Sequence, residues 1–187
     1  MNTRILRHPT AIAGLERLER LPVADARGRL ERVFCAGELA PLLGAARIEQ
    51  INRTSTRRAG TVRGLHFQRP PDAERKFVTC LRGRIFDVVV DLRAGSPTFL
   101  TWHAVVLDAA EPFGLSVPPG CAHGFQALCD DVDLLYLHTE PWRAHSEAGI
   151  HPLEPQLGIP WPLPVRDLSP RDQTHPALDG CFAGVSL

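Results

Sequence analysis

The stretch KFVTCLRGRIFDVVVDLR, residues 76–93, decides the fold class. Lys76 to Leu81 alternates, and Arg82-Gly83 has the composition of a two-residue turn. In RIFDVVVDLR, Phe86, Val88, Val90 and Leu92 share one face. The other face carries Ile85, Asp87, Val89 and Asp91, a mixture unlike a plain solvent side. The expectation is two β-strands joined in a tight hairpin at Arg82-Gly83.

Upstream, Arg47 to Asn52 (RIEQIN) also alternates, and Asp25-Ala26-Arg27-Gly28 is a turn signal followed by Leu30, Arg32 and Phe34. Residues 1–20 read as an irregular lead-in with one short strand, because Pro9 and Gly14 break any helix. Gly37 to Ala46 (GELAPLLGAA) can make one or two helical turns around Pro41. Downstream, Ala94-Gly95-Ser96-Pro97 is a turn, and Thr98–Leu107, Phe113–Val117 and Val132–His138 are strand-like. The tail from Pro141 is proline-rich and loop-like, with a short helix near Pro170–Asp172. Many short strands with Gly/Pro turns between them predict an antiparallel sandwich or barrel.

Composition narrows the function classes. A chain of 187 residues, 44% hydrophobic and 22% charged, suits one domain over 1–187 with a proper core. The formal net charge of +0 gives no global field for nucleic acid or an anionic membrane, so attraction for an anion has to be local. No apolar run approaches the ~20 residues that cross a bilayer. The opening MNTRILRHPT lacks a signal-peptide core, so a cytoplasmic protein is expected. Five scattered cysteines without a C-x-x-C pair suit reduced, mostly buried thiols.

Chemistry concentrates in GTVRGLHFQRPPDAERK, residues 60–76. Arg63 can bind an anion, His66 can move a proton and Lys76 can steady a negative oxygen. Lys76 is the only lysine beside twenty arginines. That fits either an arginine-favouring genome or a site that needs a compact ammonium. Each residue also has a structural reading: His66 as a hydrogen-bonded core residue, Lys76 as an edge charge, Tyr136 as packing, Asp172 as a helix cap. Arg63 and His66 are three apart and would face opposite ways in a regular strand. Either a bulge at Gly64 turns both inward, or Arg63 reaches a neighbouring subunit's site.

Pro118-Pro119-Gly120-Cys121-Ala122-His123-Gly124-Phe125 resembles the second signature of the cupin superfamily. The first signature is reduced to His66-Phe67-Gln68, so His66 and His123 fall short of the three protein ligands usual for catalytic zinc. A cupin-type antiparallel jelly-roll β-barrel (all-β, with short peripheral helices) that has no metal is expected. The closer resemblance is to the RmlC-like branch, the dTDP-4-dehydrorhamnose 3,5-epimerases. It is carried, in order, by RGLHFQ (63–68), Lys76, DVVVDLRAGSPTF (87–99), VPPGCAHGF (117–125), LLY (134–136), GIPWP (158–162) and LSPRD (168–172).

The resemblance implies a homodimeric, cofactor-free isomerase acting on a nucleotide-linked 4-keto-6-deoxy sugar, in polysaccharide biosynthesis. By position, His66 resembles the base that removes the proton beside the ketone, and Asp172 its partner, with Asp167 as competitor. Lys76 resembles the group that stabilises the enolate oxygen, and Tyr136, the only tyrosine, the opposite-face proton donor. For substrate binding the resemblance implies Arg63 for the diphosphate, the Gln50/Asn52 pair, His123 near the sugar, Arg27 in its D-x-R-G turn, and Trp142. The chain departs from the family where Leu30 and Arg32 replace an aromatic and an acidic residue near the base. The spacing from Asn52 to Arg63 is also one residue longer. Trp142 replaces a second tyrosine, so a monofunctional 3- or 5-epimerase or a keto-sugar isomerase stays open. So do another NDP-sugar, a non-catalytic sugar-binding cupin and a metal-dependent cupin.

Overall fold

The computed structural model describes residues 3–187. In chain order the strands are β1 (Ile5–Pro9), β2 (Glu16–Arg20), β3 (Val23–Asp25), β4 (Gly28–Leu30), β5 (Gln50–Thr56), β6 (Val62–Gln68) and β7 (Lys76–Arg82). There follow β8 (Arg84–Asp91), β9 (Trp102–Asp108), β10 (Phe113–Val117), β11 (Cys121–Ala127), β12 (Val132–His138) and β13 (Glu147–Gly149). Two short helices, α1 (Ala40–Leu43) and α2 (Pro170–Gln173), lie at the periphery. One sheet has the order β1-β2-β10-β7-β12-β5 and the other β13-β6-β11-β8-β9, both antiparallel; β3 and β4 form a separate hairpin. This is the all-β jelly roll that the motifs imply.

The hairpin expected at Arg82-Gly83 does not form. β7 pairs with β10 and β12, whereas β8 pairs with β9 and β11, so the turn crosses from one sheet to the other. Gly83 makes that corner at φ +77°, where an added Cβ would sit 2.8 Å from Cys129 Sγ. The reason lies in β8 itself. Ile85 and Val89 enter the core between the sheets, while Val88, Val90 and Leu92 are covered by the C-terminal segment through Ile150, Leu157, Leu178 and Val185. A strand buried on both faces needs neighbours on both edges and a layer over its back, which a lone hairpin cannot supply.

Four other expectations shift. The lead-in forms two strands, β1 and β2, paired around a turn at Gly14, instead of one. The RIEQIN strand begins at Gln50 and runs on to Thr56, and the one beginning at Thr98 starts at Trp102 after a turn. Beyond β4, Arg32 and Phe34 lie outside any strand.

Strand parity then builds the interior. On β12, Val132 and Leu134 belong to the central core with Tyr136 packed on it, while Leu137 joins Phe77, Leu39 and Leu43 on the outer face under α1. On β7, Val78 and Cys80 are central, and on β11, Cys121, Phe125 and Ala127. Complete burial of a side chain such as Leu134 stabilises by about 1.5–3 kcal/mol. The same parity carries Lys76, His123, Tyr136 and His138 into one end of the interior, where a cavity replaces apolar packing.

The parity problem of Arg63 and His66 is solved by a bulge. His123 pairs with His66 and Phe125 with Arg63, so two steps on β11 span three on β6. Gly64 adopts φ +134°, and a Cβ there would lie 2.5 Å from Gly124 Cα, a backbone atom that cannot move aside cheaply. Gly64→Ala is therefore expected to cost about 2–5 kcal/mol, from left-handed strain plus overpacking, read as a fall in the urea midpoint at unchanged slope.

Candidate active site

The cavity measures about 920 Å³ and opens between the two sheets at one end of the barrel. Its wall on the five-stranded sheet carries Arg63, His66 and His123; the facing wall carries Asn52, Lys76, Tyr136 and His138. Pro170, Arg171 and Asp172 close a third side.

Asp172 reaches the site because the C-terminal segment is threaded back along β6. Arg166 N–H donates to Gly60 O at 2.8 Å, and Gln126 holds Leu163 through both its side-chain atoms, at 2.8 and 2.9 Å. Ser169 then caps α2 by accepting from Asp172 N–H at 3.0 Å. The buried carboxylate is left with Oδ1 2.7 Å from His66 Nε2 and Oδ2 3.5 Å from Gly64 N–H. Asp167, its competitor, lies 3.4 Å from the Thr61 hydroxyl and 3.9 Å from Arg58, and does not bond His66.

Burial pushes the Asp172 carboxyl up. The His66 hydrogen bond and charge, with Gly64 N–H and Ser169, outweigh it and hold the group below its ordinary value of 3.8. An ionised Asp172 accepts only, which places the His66 proton on Nε2 and leaves Nδ1 with no protein partner among the described residues. Arg171 Nη2 also stands 3.1 Å from His66 Nε2, steered by Glu147 at 2.6 Å.

Because the folded-state value is depressed, Asp172's contribution to stability is present above pH 3.8 and fades as pH falls through that lower value. Asp172→Asn is expected to be less stable than the wild type at neutral pH. The gap should narrow as pH falls below 3.8 and through that lower value, where the Asp172 carboxyl becomes neutral like the amide, measured by urea unfolding at each pH.

Lys76 is 7% exposed, and its Nζ donates to His66 O at 3.1 Å and pairs with Glu74 Oε1 at 3.3 Å. Of three ammonium donors, one remains for the cavity. Tyr136 stands on the sheet opposite His66, flanked by His123 at 5.8 Å edge-on and His138 at 6.0 Å near-parallel. Burial, then the Asp87 charge, raise the phenol well above its usual value of 10.0 despite Arg63, so it stays protonated at neutral pH. Arg63 lines the cavity of its own chain and is held by Thr56 Oγ1 at 3.1 Å and Ser55 O at 3.3 Å.

Of the residues singled out from sequence, His66, Tyr136, Asp172, Lys76, Arg63, Asn52, His123 and Trp142 share this cavity. Two do not. Gln50 lies at the start of β5, on the face of Asn52 but outside the cavity lining, where its Oε1 accepts from Trp142 N–H at 3.0 Å. Arg27 projects from the exposed β3–β4 turn and pairs with Asp25. Sequence reading missed Glu74, His138 and Arg171. Two of these had a signal: His138 lies two residues after Tyr136, and Glu74 two before Lys76, each on the parity of a chosen residue. Asp87, noticed only as an oddity on an apolar face, is fully buried and bonds His123 Nε2 at 2.8 Å.

Donor atoms of His66, Asp172 and His175 lie within 4.8 Å of one another, a grouping that could hold a metal ion. Its fit is poor, because the Arg171 guanidinium stands against the same His66 nitrogen that faces Asp172. The His66–His123 pair weighed from the cupin signature is likewise taken up, each ring by its own carboxylate. Thiol chemistry is equally disfavoured in the barrel: burial raises Cys80 to about 11 and Cys121 to about 12.

A profile of the family described as dTDP-4-dehydrorhamnose 3,5-epimerase matches residues 9–180. The chain belongs to that family. It is 41% identical to the dTDP-4-dehydrorhamnose 3,5-epimerase of Streptomyces griseus, covering 91% of this chain and 85% of that one. It is 40% identical to a dTDP-4-dehydrorhamnose 3-epimerase of Streptomyces niveus, over 88% and 80%. Among solved structures, the dTDP-4-dehydrorhamnose 3,5-epimerase of Bacillus anthracis, with TDP and PPi bound, superposes with a TM-score of 0.89 at 34% identity, covering 93% of this chain and 99% of that one. As an epimerase of this family, the protein is an isomerase whose substrate is a nucleotide sugar. No helix among the described residues is long and apolar enough to cross a membrane.

Proposed function

We propose that the protein epimerises a dTDP-linked 4-keto-6-deoxy sugar at C3 and C5, by removing a proton on one face of the ring and returning one on the other. The observation that carries this reading is the disposition of His66 and Tyr136 on facing sheets across one cavity, with Lys76 on the Tyr136 wall reaching over to His66 O. His66 Nδ1 takes the proton beside the ketone, and Asp172 orients the ring and stabilises the imidazolium. The electrons move to the ketone oxygen, where the third Lys76 N–H meets the developing charge. Tyr136 delivers a proton to the opposite face and its phenolate recovers one from solvent, while the His66 proton is released to solvent, so atoms and charge balance over the cycle. Arg63 and Asn52 bind the diphosphate and sugar, His123 with Asp87 borders the ring, and Trp142, 55% exposed, forms the rim.

We also propose that the protein is a cytoplasmic homodimer built from single-domain chains. All six residues of β3 and β4 are exposed, including Val23 at 47% and Leu30 at 76%, which leaves that hairpin with Arg27 available to a second copy.

The test is turnover in D₂O on dTDP-, CDP- and GDP-linked 4-keto-6-deoxyglucose, read by product NMR. Inverted product with deuterium at both C3 and C5, on the dTDP sugar, is expected. Deuterium and inversion at one carbon only would reduce the activity to mono-epimerisation. Inertness across all three substrates would remove the reading.

A further inference from the structure

His138 Nδ1 lies 2.7 Å from Glu74 Oε2, and the other oxygen of the same carboxylate lies 3.3 Å from Lys76 Nζ. Glu74 is 8% exposed. Lys76 and His138 are register partners on neighbouring strands, so both project into the cavity side by side, with Glu74 closing over them from the loop before β7. On its far side His138 Nε2 meets Asn52 Nδ2 at 3.4 Å.

We propose that Glu74 and His138 form a brace that positions the Lys76 ammonium, making both residues positioning residues for the enolate-stabilising group. The inference rests on the epimerase reading and goes beyond it, because neither residue needs to touch the substrate.

A lysine side chain has many rotamers, and an ammonium on such a stem does not hold one direction unless its donors are engaged. Here His66 O takes one donor and Glu74 Oε1 a second, so the third is fixed toward the cavity. Glu74 can do this only if its own carboxylate is fixed, and the His138 Nδ1–H bond fixes it. Burial pushes the Glu74 carboxyl up, while the His138 bond and the Lys76 charge hold it below its ordinary value, so it is an acceptor only at neutral pH. An acceptor at that position forces the His138 proton onto Nδ1, and Nε2 then accepts from the Asn52 amide. The bonds from Asn52 through His138 and Glu74 to Lys76 thus share one consistent set of donors and acceptors.

The test combines kinetics with a readout that needs no turnover. In ¹⁵N-histidine NMR of the wild type, His138 is expected as the Nδ1–H tautomer; an Nε2–H tautomer would overturn the brace whether or not the protein is active. His138→Ala is expected to lower kcat ~10- to 100-fold with KM within about twofold, since a small displacement of a catalytic group acts on the transition state. His138→Asn, whose amide N–H can replace the Nδ1–H donor, is expected to recover kcat to within about threefold of the wild type. Glu74→Gln should fall with His138→Ala. Unchanged kcat in His138→Ala, or a loss confined to KM, would contradict the proposal. If the alanine variant fails to fold, the asparagine variant and the tautomer still decide. A wild type inert on every nucleotide sugar would sink the epimerase reading and leave the tautomer result standing.

Discussion

Tyr136→Phe is expected to abolish inversion while the same carbon goes on exchanging its hydrogen with solvent. The two events separate because they use opposite walls. His66, on the five-stranded sheet, can still remove a proton and return one from the same side, which labels the sugar from D₂O with retention. Inversion needs a donor on the other side, and the chain contains a single tyrosine. Its phenol keeps its proton at neutral pH, held there first by burial and then by Asp87, which suits a group that waits protonated until a basic enolate carbon forms. Phenylalanine retains the ring's contacts with the core and with His123, so the fold should survive. Losing one general acid typically costs ~10²–10⁴-fold, and the drop should appear in epimerisation but not in exchange. Equal loss of both would mean that Tyr136 acts before proton removal.

His66→Gln is expected to remove both exchange and inversion, again by ~10²–10⁴-fold in kcat. Glutamine reaches the Nε2 position and can donate to Asp172 much as the imidazole Nε2–H does, so the buried carboxylate keeps a partner. It cannot accept a proton near neutrality. The distinction matters because His66→Ala would leave Asp172, 2% exposed, without its closest hydrogen bond, mixing instability with lost chemistry. Activity of His66→Gln within tenfold of the wild type would assign the base elsewhere, with His123 on Asp87 as the candidate.

Much of this arrangement was legible in the chain. The strand-like segments 113–117 and 132–138 match β10 and β12 residue for residue, and the short helices around Pro41 and Pro170 are present. Most residues carried over from the family motifs converge on one cavity, and the Gly64 bulge resolves the parity conflict between Arg63 and His66. What failed has a common physical cause. A turn signal such as Arg82-Gly83 reports local backbone geometry and is blind to which sheet the next strand joins, so a corner between sheets reads as a hairpin. The outer cover of β8 comes from residues some 60 to 100 positions later, beyond the reach of any local pattern. Glu74 and His138 escaped notice for a related reason: alone each is an ordinary polar residue at a strand end. Only pairing of β7 with β12 joins them.

The central claim is that one sugar ring is held between the His66 imidazole and the Tyr136 phenol. A crystal structure with a dTDP-linked 6-deoxy sugar that lacks the ketone, and so cannot react, measures this directly. The ring is expected inside the cavity, with a C–H carbon roughly 3–3.5 Å from His66 Nδ1 and the phenol oxygen on the opposite face. A sugar outside the cavity, or both groups meeting the same face of the ring, would contradict the account.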